Sequence, residues 1–252
     1  MSSYLVTGST RGLGLNIVAS LAGRPETQVS RIFATGRSHS AALDELVKAH
    51  PHRVIYVQLD VARPETIKAA VDKVRENVSG DGLDVLVNNA GILTYTENGI
   101  ANMTDLMSTV AVNVEGVQQV TRAFVPLLEQ GYKKTVVNIS TILASLTYVR
   151  DTGFQQAPAY KISKTALNML TSLYAQEYET KGFIFVAVNP GWCQTDMGSS
   201  SADLPVEAGV KGILGVIDKL TPKDNGKFLT IEVPGWEAKG KLNPYQGGEL
   251  AW

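Results

Sequence analysis

Tyr160 and Lys164 are the residues whose types and spacing suit acid–base chemistry. They lie in the run Ala159-Tyr160-Lys161-Ile162-Ser163-Lys164, and on a helix their side chains would share one face, one turn apart. A phenol titrates near pH ~10, and an ammonium group beside it lowers that pKa, which suits a general acid or base. Such a pair also occurs on solvated helices that have no catalytic role. Its meaning therefore depends on the rest of the chain.

Composition indicates an ordinary globular protein with a sizeable core. The 252 residues are 44% hydrophobic and 19% charged, and the net charge of -1 argues against nucleic-acid or anionic-membrane binding. Cys193 is the single cysteine, so an internal disulfide is excluded. No apolar run approaches the ~18 residues that span a bilayer, and a first strand near Ser3 leaves no room for a signal peptide. We expect a cytoplasmic protein, and no metal site is predicted.

A glycine-rich turn follows the first predicted strand, Tyr4-Leu5-Val6. Its sequence is Thr7-Gly8-Ser9-Thr10-Arg11-Gly12-Leu13-Gly14, and residues 15–21 then have the pattern of a helix. A turn of this kind lets the backbone approach a phosphate and directs the positive end of the helix toward it. The spacing is G-x-x-x-G-x-G, and glycines also make ordinary turns. The turn alone is therefore a weak to moderate indication of a nucleotide site.

The corner after the second predicted strand bears on the choice of nucleotide. Dinucleotide folds often place an acidic residue there to bind the adenosine ribose, whereas this chain has Gly36 and Arg37. Together with Arg11, Arg37 suits a 2′-phosphate through charge-assisted hydrogen bonds. The alternative is two solvated surface arginines. After the third strand, Asp60 could accept a hydrogen bond from an adenine amino group or cap the helix that follows.

The other notable residues also follow strands. Strands and helices alternate along the chain, which predicts an α/β fold with a doubly wound, Rossmann-like parallel sheet in a single domain, residues 1–252. In such sheets ligands bind outside the carboxyl ends of the strands. The predicted strand ends carry the glycine turn, Arg37, Asp60 with Val61, Asn88-Asn89-Ala90-Gly91, Ser140-Thr141 and the run from Pro190 to Thr195. We therefore expect one shared site.

In order and spacing, these motifs resemble the short-chain dehydrogenase/reductase family over essentially the whole chain. The matching residues are T-G-x-x-x-G-x-G at 7–14, N-N-A-G at 88–91, Asn113, Y-x-x-x-K at 160–164, and Pro190-Gly191 with Thr195. The glycine spacing and the length are similar to those of the compact branch. Pro190-Gly191-Trp192, the run 195–198 and the closing Trp252 resemble the sniffer and C-factor-like carbonyl reductases.

The resemblance implies a role for each matched residue. Tyr160 would exchange a proton with a carbonyl or alcohol oxygen, and Lys164 would bind the nicotinamide ribose and lower the tyrosine pKa. Asn113 would help to hold a water molecule that connects Lys164 to solvent, although a satisfied core asparagine is the simpler interpretation. The implied cofactor site comprises Gly8, Thr10, Arg11, Gly12, Leu13, Gly14, Arg37, Asp60, Val61, Asn89, Ala90, Gly91, Tyr160, Lys164, Pro190, Gly191, Cys193 and Thr195.

One position departs from the family pattern. The family motif is N-x-S-S with a catalytic second serine, whereas this chain has Asn138-Ile139-Ser140-Thr141. The match places Thr141 in the catalytic position, where its hydroxyl could still bind a substrate oxygen. Ser140 would point to the opposite face of the strand. We expect activity with Thr141 as the donor.

The resulting hypothesis is an NADP(H)-dependent carbonyl reductase, or equivalently an alcohol dehydrogenase. An NAD-dependent enzyme and a non-catalytic dinucleotide sensor or scaffold are the alternatives. Substrate loops near 142–157 and 196–205 would surround a small carbonyl or alcohol substrate, and the side chains that make a hydrophobic wall plausible are Leu143, Leu146, Tyr148, Phe154 and Trp192. A homo-oligomer through helices 103–129 and 158–179 is possible.

Overall fold

The structure is a computed structural model that describes residues 1–78, 80–153, 155–237 and 242–252, and within them seven parallel strands form one sheet in the order β3-β2-β1-β4-β5-β6-β7. The strands are β1 (Ser2–Val6), β2 (Val29–Gly36), β3 (Val54–Gln58), β4 (Val85–Asn88), β5 (Thr135–Ile139), β6 (Ile184–Asn189) and β7 (Phe228–Thr230). The order reverses between β1 and β4. This reversal opens a crevice at the carboxyl edge of the sheet, where such folds bind ligands.

Helices cover both faces of the sheet. They are α1 (Gly12–Ala22), α2 (Ala41–Ala49), α3 (Pro64–Asn77), α4 (Leu106–Val110), α5 (Val117–Gln130), α6 (Pro158–Glu177) and α7 (Val206–Lys219). Successive strand residues point to opposite faces. Tyr4 and Val6 accordingly join the core beneath α1 and α7, whereas Leu5 joins the core beneath α3 and α5. The predicted doubly wound α/β fold is confirmed.

The predicted helix over 103–129 is observed over 106–130, with a π-helical turn inside it that was not predicted. The chain forms α4, then the π-helical turn over Ala111–Gly116, and then α5, without a break. The turn contains Asn113, whose side chain bonds to the backbone of Ile92 in a distant loop. A π turn inside a helix often marks a functional site. Apolar periodicity does not reveal a tertiary contact of this kind, so it does not predict the π-helical turn.

The segment from 242 to 252, for which the sequence shows no clear periodicity, runs along the edge strand β7. Leu229 and Glu249 form an antiparallel bridge, and Leu250 N donates to Phe228 O at 2.7 Å. The segment thereby covers backbone groups that an edge strand would otherwise expose. Within the described parts of the chain, no helix is both long and apolar enough to cross a membrane.

Candidate active site

The glycine turn and the end of β4 are joined by a small hydrogen-bond network. Thr7 Oγ1 accepts from the backbone N–H groups of Asn89 and Ala90 at 2.9 and 3.0 Å, and Asn89 Nδ2 donates to Thr7 O at 2.8 Å. Gly8 has φ +69°, and a Cβ there would lie 3.0 Å from Ala90 Cα. The hydrogen bonds hold the two strand ends together, and the absence of a Cβ at Gly8 lets them approach closely.

The turn leads directly into α1, whose N-terminus faces the crevice edge. Arg11 is the N-cap residue, and among the described residues its side chain makes no capping hydrogen bond. The first N–H groups of a helix lack intrahelical partners, and they favour an anion. A Cβ on Gly12 would lie 3.6 Å from Thr195 Cγ2. The fold thus brings Thr195, which is distant in sequence, to the same turn.

Arg11 and Arg37 lie on either side of a contact between the turn and the end of β2. Ser9 N donates to Thr35 O at 2.7 Å, and Thr10 packs against Gly36. Both arginine side chains are exposed, as the prediction of a 2′-phosphate site requires.

Arg11 also has a partner that the sequence did not predict. Its Nη1 lies 3.0 Å from Oδ2 of Asp196, in an ion pair whose side chains are about three-quarters exposed. Because Asp196 follows Thr195, the pair joins the glycine turn to the loop after β6.

Asp60 and Val61 follow β3 at the same edge. Asp60 Oδ1 accepts from Ala62 N at 3.0 Å. The N-cap of α3 is Arg63, so the alternative in which Asp60 caps that helix is wrong. Val61 is buried, and a Cβ on Gly116 would lie 2.9 Å from its Cγ2.

Tyr160 and Lys164 lie in the first two turns of α6, which begins with Pro158 at a position that suits proline. Both are buried, with exposures of 8% and 4%. Lys164 Nζ lies 5.8 Å from the centre of the tyrosine ring, and it donates to Ile139 O at 2.7 Å. The two side chains are therefore neighbours at the end of β5, as their spacing predicts.

The predicted lowering of the Tyr160 pKa is wrong for this structure. Burial raises the pKa of Tyr160, and the nearby phenol of Tyr95 raises it further. Burial also lowers the pKa of Lys164 from 10.5 to about 8, since removal from water disfavours the charged form of either group. Desolvation is the main cause of both pKa shifts, and the Tyr160 phenol is protonated at neutral pH.

Asn113 is fully buried and satisfied on both sides of its amide. Its Oδ1 accepts from Ile92 N at 2.8 Å, and its Nδ2 donates to Ile92 O at 2.9 Å and to Ser163 Oγ at 3.0 Å. A Cβ on Gly91 would lie 3.1 Å from Asn113 Oδ1 and 3.6 Å from Lys164 Nζ. Asn113 therefore borders the lysine and the N-N-A-G turn, and it is also a satisfied core residue.

The two hydroxyl groups after β5 differ in their surroundings. Ser140 is buried, and its Oγ donates to Asn168 Oδ1 at 2.6 Å. Thr141 is partly exposed, and its Oγ1 accepts from Leu143 N at 3.3 Å. That bond leaves the threonine hydrogen uncommitted, whereas the serine hydrogen is already used.

The side chains of the predicted apolar substrate wall differ in how far they are buried. Trp192, Leu143 and Tyr148 are half-buried, but Leu146 is 69% exposed. Phe154 lies outside the described residues. Trp192 Nε1 donates to Gly198 O at 2.6 Å, which fixes the indole against the loop after β6. Cys193 is buried, and burial raises the pKa of its thiol.

Sequence reasoning missed three residues around Tyr160. Ser163 accepts from Asn113 and donates to Tyr160 O at 2.8 Å, Asn168 holds Ser140, and Tyr95 lies near the tyrosine phenol. Ser163 and Asn168 lie three and eight residues after Tyr160, on the same helical face. Helical spacing could have found both, but nothing local indicates Tyr95.

Comparison with known proteins identifies relatives across the whole chain. Residues 3–204 match the model of a protein family described as short chain dehydrogenase. C-signal of Myxococcus xanthus is 36% identical over 177 residues, which cover 70% of this chain and 96% of that protein.

Two solved structures are also similar. The NADPH-bound carbonyl reductase from chicken fatty liver is 33% identical with a TM-score of 0.87, and the match covers 100% of this chain and 94% of that one. Carbonyl reductase Sniffer of D. melanogaster is 30% identical with a TM-score of 0.86 and full coverage of both chains. The resemblance inferred from the motifs is confirmed.

Proposed function

This chain belongs to the short-chain dehydrogenase family of oxidoreductases, and we propose that it is an NADP(H)-dependent carbonyl reductase in which Tyr160 is the proton donor. The observation that most strongly supports this function is the buried pair of Tyr160 and Lys164 at the carboxyl edge of the sheet. The Tyr160 phenol is protonated at neutral pH, and a protonated phenol can donate to a carbonyl oxygen.

The residues around the crevice fit a dinucleotide. The absence of a Cβ at Gly8 lets the turn lie against Ala90 at the end of β4, and the N-terminus of α1 offers N–H groups to a pyrophosphate. At the β2 corner, exposed Arg11 and Arg37 match a 2′-phosphate better than the ribose hydroxyls that an acidic residue would bind. NADP(H) is thus the proposed cofactor, and its reduced nicotinamide supplies a hydride to the carbonyl carbon.

The chain's own residues would position and protonate the substrate. Thr141 donates a hydrogen bond to the carbonyl oxygen, and Tyr160 transfers its phenolic proton to the same oxygen. Lys164 is held by Ile139 O, close to where the nicotinamide ribose would be bound. Asn113 supports this arrangement through Ile92 and Ser163. Positioning of the substrate beside a proton donor accounts for the proposed catalysis.

The substrate class is inferred from the loops after β5 and β6, at the carboxyl edge of the sheet. These loops carry Leu143, Tyr148 and Trp192, which supports a small hydrophobic ketone or aldehyde. We place this activity in the cytoplasm, in one domain that comprises the whole chain. Ile162, Met169 and Leu173 are exposed along α6, which supports a homo-oligomer through this helix, testable by analytical ultracentrifugation.

The first test is titration of the purified protein with NADPH and with NADH, followed by nicotinamide fluorescence. We expect tighter binding of NADPH, and then NADPH-dependent reduction of hydrophobic ketones. Tighter NADH binding would overturn the cofactor assignment but keep the enzyme. If neither binds, a scaffold role replaces the enzyme.

The Tyr160→Phe variant tests the acid role. It should bind NADPH as tightly as the wild type and lose turnover by about 100-fold or more. Wild-type rates in this variant would contradict the assignment.

A further inference from the structure

The C-terminal segment of residues 242–252, here called the tail, contacts both the loop after β5 and the loop after β6. It lies along the extension of β7, where Val233 N donates to Tyr245 O at 3.0 Å and Gly247 N donates to Ile231 O at 3.2 Å. Trp252 stacks on Phe228 with ring centres 5.4 Å apart. These contacts fix the tail to the sheet, so it can support the loops that contact it.

Tyr245 links the tail to the loop after β6. The side chain is fully buried, although the residue lies in an irregular segment with φ +49°. Its hydroxyl donates to Asp203 Oδ2 at 2.9 Å and accepts from Trp192 N at 3.1 Å. Burial, with the adjacent Asp203 carboxylate, raises the pKa of this phenol, so it remains a donor over the working pH range.

Those two hydrogen bonds close the loop at its base. Leu204 N donates to Trp192 O at 2.9 Å, and Gln194 N donates to Leu204 O at 2.8 Å. The Tyr245 hydroxyl therefore bridges the two ends of the 192–204 loop, which carries Trp192. Gly191 has φ +72°, and a Cβ there would collide with the Tyr245 ring. The phenol and the P-G turn are closely fitted to each other.

A second contact reaches the residue next to Thr141. Asn243 Oδ1 accepts from Asn189 Nδ2 at 3.0 Å, and Asn189 Oδ1 accepts from Ile142 N at 3.1 Å. Asn189 and Asn243 are both buried. One amide thus connects the tail, the end of β6 and the backbone that positions the Thr141 hydroxyl.

A third contact holds the loop that continues from Thr141. Ser145 Oγ donates to Ala251 O at 2.7 Å, and Thr147 Oγ1 donates to Trp252 O at 3.2 Å. The loops after β5 and β6 are therefore both hydrogen-bonded to the tail, which is itself fixed to the sheet.

From this geometry we infer that the tail sets the shape of the carbonyl-substrate site, and that Tyr245 is its principal positioning residue. The inference rests on the proposed function. Tyr245 acts through Trp192 and Asp203 and touches neither cofactor nor substrate in this arrangement. Loss of its hydroxyl should loosen the 192–204 loop and weaken substrate binding, while the dinucleotide site at the glycine turn remains as it was.

The test is the variant Tyr245→Phe, which keeps the ring that packs on Gly191 and removes only the two hydrogen bonds. We expect KM for a bulky hydrophobic ketone to rise by about tenfold, and the NADPH dissociation constant to rise less, because Thr195 lies in the loop but the glycine turn and Arg37 do not. Tyr132→Phe is the matched control, because Tyr132 is 94% exposed, and it should behave as the wild type. Amide hydrogen exchange over 192–204 should be faster in Tyr245→Phe alone.

Two variants of Asp203, which accepts the hydrogen bond from the Tyr245 hydroxyl, extend the test. Asp203→Asn keeps an oxygen that can accept from the phenol and should preserve KM, whereas Asp203→Ala should raise it as Tyr245→Phe does. Unchanged KM and unchanged exchange in Tyr245→Phe would overturn the inference. An equal loss of NADPH binding would also overturn it, as it would indicate general destabilisation. If the wild type reduces no ketone, the proposed function fails, whereas the exchange measurement still decides the role of the tail.

Discussion

Lys164 should destabilise the folded protein at neutral pH, and the variant Lys164→Met tests this. The ammonium group is buried at 4% exposure, where it donates to the backbone oxygen of Ile139 at 2.7 Å and lies 5.8 Å from the centre of the Tyr160 ring. Methionine has a similar length without the charge, so it removes the cost of burying that charge. The variant should therefore be inactive but more stable, an exchange typical of functional residues.

The magnitude follows from the pKa of Lys164, which burial lowers from 10.5 to about 8. That difference corresponds to about 3 kcal/mol of unfavourable free energy when the folded protein carries the charge. The variant also loses the hydrogen bond to Ile139 O, worth about 1 kcal/mol. We expect Lys164→Met to be more stable by about 2 kcal/mol at pH 7.

The sign depends on pH. Below about pH 8 the folded wild type is charged at Lys164 and bears the full cost. As the pH rises from about 8 to 10.5, the folded protein loses this proton before the unfolded chain does, so wild-type stability increases. The advantage of the variant should shrink over this window and reverse by its upper end.

Urea unfolding of both proteins at a series of pH values from 6 to ~10.5 measures this difference, with m values compared to check two-state behaviour. Lys211→Met is the control, because Lys211 is exposed on α7, and its effect should be small at every pH. If Lys164→Met is less stable at pH 7, and the difference does not change with pH, the reasoning from desolvation is refuted.

Three further predictions concern the hydroxyl donor and the cofactor. Thr141→Ala should lower kcat by about 100-fold, whereas Ser140→Ala should lower the free energy of unfolding by about 1–3 kcal/mol because a buried hydrogen bond is lost. Steady-state kinetics measures the loss of activity in each variant, and urea unfolding measures the loss of stability. A larger loss of activity in Ser140→Ala would assign the donor to Ser140. Arg37→Asp should shift the preference from NADPH toward NADH by repelling the 2′-phosphate, and an unchanged ratio of dissociation constants would make Arg37 a bystander. Asp196→Asn should tighten NADPH binding by about two- to fivefold and leave NADH unaffected, since an exposed ion pair of about 0.2–1 kcal/mol no longer competes for Arg11; equal effects on both cofactors would rule out this competition.

Much of the architecture was predictable because the relevant information is local. Buried strand runs, glycine turns and helical patterns alternate along the chain, and alternation of this kind determines a parallel doubly wound sheet. Element bounds differed by only a few residues, as for α6, predicted over 158–179 and observed over Pro158–Glu177. The spacing of Tyr160 and Lys164 also placed them correctly on one helical face.

The errors arose where a side chain's environment is set by distant residues. The spacing of Tyr160 and Lys164 predicts mutual attraction, but burial by surrounding elements determines the direction of both pKa values. Asn113 lies in a run with an apolar pattern, and its contact with Ile92 accompanies a π turn that the pattern does not contain.

The sequence by itself determined the family, the order of the strands and helices, and the residue types that meet at the carboxyl edge of the sheet. These depend on short-range periodicity and on motif spacing, which any single stretch of chain carries. Only the tertiary structure decided that Ser140 donates to Asn168, that Arg11 pairs with Asp196, and that Tyr245 bridges Trp192 and Asp203. The partners in these contacts lie between 28 and 185 residues apart in the chain. Their meeting depends on how complete elements pack, which local patterns do not specify.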